Sequence, residues 1–211
     1  MYGLTGSTIF VQAQQCRGII MGKFRESQTA KNLLISYAFE SQATTRYTFF
    51  ANKAKEDGYI QIARIFKETA DQECEHALRF FKFFNGGELE VTASFLTGVI
   101  KSTVDNLMAS ADLERHVHTE LYPGFAKVAR EEGFEKAAGF WDAISIAEAQ
   151  HEKTFLALAE NIKGNKIFNR PTKCVWRCMN CGYIHEDKDA PDKCPGCVKP
   201  SGYFELFVEN W

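Results

Sequence analysis

Two short patterns in the chain place a histidine three residues after a glutamate: Glu73 with His76, and Glu148 with His151. On an α-helix, positions i and i+3 share a face, so each pair can point the same way. The two patterns are in register. Glu73 and Glu148 each lie 15 residues after a glycine, Gly58 and Gly133, and His76 and His151 each lie 18 after it. Upstream, Glu40 precedes Gly58 by 18 residues and Glu114 precedes Gly133 by 19. The chain thus offers, twice, a glutamate followed by Glu-x-x-His. Four carboxylates facing one apolar interior would cost several kcal/mol each unless cations joined them. Two divalent ions balance them, with both imidazoles neutral. An oxygen-rich set with one histidine per ion suits iron or manganese better than structural zinc. Phe39, Phe66 and Phe80 in the first half, and Ile144, Ile146 and Phe155 in the second, are expected to bury that face. Glu75 and Glu152 fall off it and are expected to be surface charges.

A second constellation lies near the end. Cys178-Met179-Asn180-Cys181 and Cys194-Pro195-Gly196-Cys197 are two C-x-x-C pairs with twelve residues between them. Each pair can form a tight turn whose backbone N–H groups face sulfur, and four thiolates hold one metal tetrahedrally. Spacing does not choose between zinc, which would make the module structural, and a single iron, which would carry one electron. Cys174 lies outside the turns and reads as a spare thiol. Cys16 and Cys74 have no partner pattern.

The elements that must position these groups are mostly helical. Helical periodicity covers about 28–56, 60–85, 101–131 and 134–163. Asn85-Gly86-Gly87 is a helix stop, and 88–98 reads as a longer connection. Pro123 should kink the third stretch or start a new helix. At Gly164 the composition changes to a polar linker, 165–173. It is followed by a segment rich in Cys, Pro and Gly, too small to fold on apolar burial alone. The expected architecture is mainly α: a ferritin-like four-helix bundle, whose ligand set is one Glu from each of two helices plus two Glu-x-x-His motifs, followed by a small four-cysteine metal domain. The expected division is an N-terminal extension at 1–22, the bundle at 23–164, the linker, and the four-cysteine domain at 174–211. The extension carries no assigned role, and Met21 is a candidate start.

Composition narrows the function. The 211 residues include 25 Lys+Arg and 27 Asp+Glu, a net charge of −2, which gives no electrostatic reason to bind nucleic acid or an anionic membrane. No apolar run approaches a membrane span, and the first residues lack a secretory pattern. With cysteines clustered as for a metal, the chain reads as cytoplasmic. Aromatic residues make up 13%, which reads as a large aromatic core rather than a stacking surface for nucleic acid.

Over about residues 23–211 the sequence resembles the rubrerythrins. The resemblance rests on Phe39-Glu40-Ser41-Gln42-Ala43, on Glu68 through His76, on Ala129-Arg130-Glu131-Glu132-Gly133 and on Ala147-Glu148-Ala149-Gln150-His151-Glu152. In the tail it rests on Trp176-Arg177-Cys178 through Tyr183 and on the closing Asn210-Trp211. It implies a ferritin-like di-iron bundle followed by a rubredoxin-like tail. It further implies a non-haem peroxidase that reduces hydrogen peroxide to water, with electrons relayed from an external reductase through the tail iron. Glu40, Glu73, His76, Glu114, Glu148 and His151 fall on the family's di-iron ligands, and Cys178, Cys181, Cys194 and Cys197 on its rubredoxin ligands. That favours iron over zinc in the tail. Tyr47 and Tyr122 match tyrosines near the di-iron site. The family also implies a head-to-tail homodimer in which each tail serves the partner's site.

One position departs from the family. A second glutamate usually follows three residues after the one matched by Glu114, and it exchanges with the histidine matched by His76 as the iron changes oxidation state. Here Val117 occupies that place. The expectation is a raised reduction potential with His76 bound in both states, and His118 is a candidate substitute ligand. The rival functions are an iron-oxidising ferritin-like protein, a di-iron oxidase using molecular oxygen, and a zinc-bearing structural adaptor.

Overall fold

The computed structural model describes residues 23–210. The extension at 1–22, with Cys16, and the closing Trp211 lie outside the described residues. The element order is α1 (Gln28–Glu56), α2 (Ile60–Phe81), α3 (Thr103–His116), a π-helical segment (Val117–Leu121), α4 (Tyr122–Glu131) and α5 (Glu135–Lys163). Strands β1 (Asn169–Cys178), β2 (Ile184–Asp189) and β3 (Phe204–Leu206) follow. The chain is therefore a mainly α protein, as the periodicity requires.

Helix α1 packs along α2, and α3 and α4 pack along α5, so each half of the repeat is a helical hairpin. Each hairpin turns at a glycine with positive φ, 86° at Gly58 and 82° at Gly133. There the Tyr59 N–H reaches the Ala54 carbonyl at 2.8 Å and the Phe134 N–H reaches that of Ala129 at 2.7 Å. The acid before each glycine ties the hairpins together. Asp57 accepts from the Thr103 N–H at 3.1 Å and hydroxyl at 2.7 Å. Glu132 accepts from the Thr29 N–H at 2.8 Å and hydroxyl at 2.6 Å. Each turn of one half thus caps the first helix of the other, where a carboxylate meets the positive end of the helix dipole. Ser27 and Ser102 complete those N-termini by accepting from the Ala30 and Asp105 N–H groups, a cap worth about 1 kcal/mol.

Two boundaries differ from the expectation. Helix α2 ends at Phe81 rather than near 85, because Phe83 and Phe84 turn back to pack beside Phe24 and Phe80. The third stretch is not one helix. Seven residues separate Glu40 from Tyr47, but eight separate Glu114 from Tyr122. The extra residue is absorbed in the π segment, since a π turn holds one more residue than an α turn. Pro123 starts the new helix α4, in the first turn, where its missing N–H leaves no bond unmade. The long crossover from α2 to α3 is held by Arg25, just ahead of α1, which donates to the Glu88 carbonyl at 3.0 Å, and by Arg46 of α1, which donates to that of Leu96 at 2.7 Å.

The core consists of two aromatic clusters related by the repeat. One gathers Tyr47, Phe50, Phe66, Leu107 and Phe155, and the other Leu33, Phe80, Val117, Tyr122 and Trp141. Ile146, expected inside, is 75% exposed, because it falls on the outer face of α5 between the inward positions Ile144 and Glu148.

The tail is an antiparallel sheet of order β2-β1-β3. Its first strand begins at Asn169, inside the stretch read as linker. Trp176 and Phe204 are fully buried at its centre. It rests on the turn of its own first hairpin. Phe168 stacks on Tyr59 with centroids 6.0 Å apart, and Arg64 donates to the Met179 carbonyl at 3.4 Å. Gly202 lies so close to the Gly58 carbonyl that any side chain there would overlap it. Among the described residues, no helix is long and apolar enough to cross a membrane.

Candidate metal centre

The six residues singled out in the bundle converge between the two aromatic clusters. Glu40, Glu73, Glu114 and Glu148 are buried. Glu40, Glu73, His76 and Glu148 bring one ligand atom each within 4.8 Å of one another, and Glu73, Glu114, Glu148 and His151 do the same. Glu73 and Glu148 belong to both groups and lie between them. Glu40 with His76, and Glu114 with His151, close the two ends.

Both histidines turn Nδ1 inward. His151 Nδ1 lies 2.6 Å from Glu148 and 3.1 Å from Glu73. His76 Nδ1 lies 2.9 Å from each of the same two carboxylates. The outer glutamates are held crosswise: the Tyr122 hydroxyl donates to Glu40 and the Tyr47 hydroxyl to Glu114. Each tyrosine therefore fixes the carboxylate of the opposite hairpin. Such a bond is worth about 1 kcal/mol net to a neutral carboxyl and about 1.5–3 kcal/mol to an ionised one.

The electrostatics show how the site satisfies itself with protons. Burial, reinforced by Glu148 and Glu73, holds Glu40 well above the usual carboxylate range. Burial, with Glu148, does the same to Glu114. Burial works against Glu73 too, but hydrogen bonds from His151 and His76 bring it down to about 2. Burial disfavours charge on the imidazoles, yet their bonds to Glu148 and Glu73 raise His76 to about 9 and His151 to about 10. Protons on the histidines and outer acids thus stand in for cations. Glu73 Oε1 and Glu148 Oε1 are buried and face only imidazole nitrogens, His151 Nδ1 at 3.1 Å and His76 Nδ1 at 2.9 Å. Four buried carboxylates converging with two imidazoles, in two groups that share the central pair, fit two oxygen-seeking ions.

The centre opens to solvent between α2 and α5. A cleft of about 530 Å³ is lined by Glu68, Gln72, His76, Gln150, His151 and Thr154, among others. Motif reading does not single out Gln72. Its Oε1 lies 2.9 Å from His151 Nε2. The repeat carries the signal, for Gln72 precedes Glu73 where Ala147 precedes Glu148.

Two further expectations are corrected. His118 is not joined to the centre: its Nε2 faces Glu152 at 2.7 Å, because the π segment turns it toward α5. Glu152 is correspondingly not a free surface charge but largely covered, with Arg115 3.8 Å away. Val117, buried at 1% exposure, occupies the inward position one turn after Glu114. Glu75 is exposed, as expected, and so is Cys74.

In the tail, Cys178, Cys181, Cys194 and Cys197 bring their sulfurs within 4.8 Å of one another. The Cys178–Cys197 and Cys181–Cys194 separations are 3.7 and 3.5 Å. A tetrahedron with metal–sulfur bonds of about 2.3 Å has edges of about 3.8 Å, so the sulfurs already outline one. The Lys199 N–H lowers Cys197 to about 6. The Tyr183 N–H also favours the Cys181 thiolate, but the neighbouring sulfurs, Cys197 foremost, push that thiol up to about 12. Cys174 stands apart, directed at the Asp187 carbonyl 3.6 Å away.

The fold and the two clusters define a class: a ferritin-like metal-binding bundle carrying a rubredoxin-like four-cysteine domain. The rubrerythrin profile matches residues 31–159 and the rubrerythrin rubredoxin-like domain matches 176–205. The chain belongs to the rubrerythrin family. It is 51% identical to the rubrerythrin of Nitratidesulfovibrio vulgaris, over 90% of this chain and 100% of that one. It is 50% identical to that of Porphyromonas gingivalis, over 88% and 92%. Among solved structures, fully reduced nigerythrin matches with a TM-score of 0.58 at 31% identity, over 86% of this chain and 90% of that one. A bacterioferritin from Desulfovibrio desulfuricans matches with a TM-score of 0.62 at 23% identity, over 68% and 85%, a likeness of fold alone.

Proposed function

We propose that the chain is a non-haem di-iron peroxidase of the cytoplasm that reduces hydrogen peroxide to water in oxidative-stress defence. The observation that carries this reading is the pairing, in one chain of this family, of a cleft-opened site of four glutamates and two histidines with a four-sulfur site. When bound, iron would supply redox and Lewis-acid chemistry in the bundle and one-electron redox chemistry at the four-cysteine site. In the proposed division, 23–164 holds two ions and 174–211 holds one.

The roles of the side chains follow from their positions. Glu73 and Glu148, common to both groups of ligands, would serve both ions, and Glu40 with His76 and Glu114 with His151 would complete the two positions. Tyr122 and Tyr47 hold the outer carboxylates in place. Gln72, Gln150 and Thr154 give the cleft polar walls for a small hydrogen-bonding oxidant. The imidazole centroids, 6.1 Å apart, leave an opening suited to a molecule of that size. Cys178, Cys181, Cys194 and Cys197 would hold the third ion, and the electrons would come from an external reductase.

The tail's own contacts favour a head-to-tail homodimer. Its Met179 loop rests at Arg64, nine residues before Glu73 and so about 14 Å along α2, away from its own ligand clusters. A second copy's tail can approach the open cleft directly.

The test is metal analysis of anaerobically purified full-length protein, with spectra before and after peroxide. The expected result is three irons per chain, one for each cluster of ligands, and thiolate-to-iron bands that bleach on reduction and return faster with peroxide than with oxygen. Zinc in the tail refutes the relay. Faster return with oxygen points to the oxidase reading, and a many-subunit cage in place of a dimer points to iron storage.

A further inference from the structure

The repeat supplies every ligand of the bundle site in matched pairs: Glu40 with Glu114, Glu73 with Glu148, His76 with His151. Even the supporting tyrosines are matched. The pairing fails at one residue that touches a ligand. Gln72 stands where the second half has Ala147. Gln72 reaches across the cleft from α2, and its Oε1 meets the outward nitrogen of His151 at 2.9 Å. At the mirrored place, Ala147 has no polar group to offer His76. The outward nitrogen of His76 has no partner among the described residues, and its side chain is 15% exposed against 9% for His151.

The consequence is chemical. A ligating imidazole is fixed when its other nitrogen donates to an acceptor, which sets the tautomer, orients the ring and makes the ligating nitrogen more basic. With Nε2–H bound to Gln72, His151 presents its Nδ1 lone pair inward. His76 has no such anchor among the described residues. We propose that Gln72 is a positioning residue that makes the two ion positions unequal: the one built on Glu114 and His151 is tighter and fills first, and the one built on Glu40 and His76 is looser and exchanges its ion more readily.

This rests on the reading that the bundle holds two metal ions, and the experiment separates the two. Cobalt(II) is added stepwise to metal-free full-length protein whose four-cysteine site has been filled beforehand, and binding is followed by visible absorption and by proton NMR of the paramagnetic protein. Wild type should take up two ions in resolved steps. The first should bring out one slowly exchanging imidazole N–H, that of His151. Removing such an outer contact costs about 10- to 100-fold in affinity. Gln72→Ala should therefore weaken the first step by that factor, leave the second near its original value and abolish the slow N–H signal. Gln72 is exposed, so this change should spare the fold. Ala147→Gln, which projects into the same cleft, should tighten the second step and add a second slow N–H signal. Equal steps in wild type, or a Gln72→Ala protein that binds as wild type does, overturn the proposal and leave the metal site standing. A chain whose bundle takes up no cobalt overturns both.

Discussion

Loading the bundle with metal should expel about four protons for each pair of divalent ions. In the metal-free protein, His76 and His151 ionise at about 9 and about 10, so both carry a proton at pH 7. Burial holds Glu40 and Glu114 well above the usual carboxylate range, so each of these is also protonated. Metal ions accept neutral imidazole and ionised carboxylate only, and all four protons must leave. Two divalent ions against four carboxylates then leave the site as neutral as the protons did. Four protons per pair makes the overall binding constant rise about four decades per pH unit, roughly 5.4 kcal/mol at 1.36 per decade. The assay is manganese(II) addition to weakly buffered protein with its cysteine site already filled, read with a pH indicator and repeated at several pH values below 9. Two protons per pair would mean that Glu40 and Glu114 are already ionised in the empty site. None would mean that the imidazoles are neutral there as well. Either result refutes this charge pattern.

The same shifts give the metal-free chain a definite pH dependence. The raised histidines contribute stability that is fully present below their ordinary value near 6.5, and that is lost as pH rises through 9 to 10. The raised acids act in the same direction, since ionising them inside the bundle is unfavourable. Thermal melting of the metal-free protein should fall between pH 6.5 and 10, while the metal-loaded protein holds or gains; parallel curves would contradict this. Val117→Glu should lower the reduction potential of the loaded bundle. One added charge at about 4–6 Å, with an effective dielectric near 20, is worth about 3–4 kcal/mol, on the order of 100 mV for a one-electron step. A redox titration indistinguishable from wild type would show that residue 117 does not face the ions.

The sequence disclosed the chemistry more fully than the mechanics. Glu-x-x-His and C-x-x-C could be read because their residues have few other uses at that spacing, and because the duplication repeats the first in register. Gly58 and Gly133 were legible as turns, though not the way Asp57 and Glu132 reach back to cap the opposite hairpin, which needs the packed bundle. The π segment was present in the numbers, as the extra residue ahead of Gly133. A count of residues does not say how a helix absorbs an insertion. Ile146 looked apolar enough for the core, but its angle on α5 decides otherwise. Helix α2 stops short because Phe83 and Phe84 gain more by packing on the second aromatic cluster than by continuing the helix. Gln72 and the His118–Glu152 pair escaped notice because polar residues near a site are common, and only distance separates a partner from a bystander.

The crosswise tyrosines have one more consequence. Helices α1 and α2 alone contain one copy of each part: a tyrosine, an outer glutamate, a central glutamate and a histidine. Their tyrosine, however, points away from their own outer glutamate and toward that of the other hairpin. A lone hairpin would therefore be a half-built centre with its brace extended to an absent neighbour, and two identical hairpins about a twofold axis would brace each other. Joined in one chain, the halves no longer need to meet by chance, and each is free to change alone. The π turn, Val117 and the Gln72–Ala147 mismatch are places where the two halves already differ.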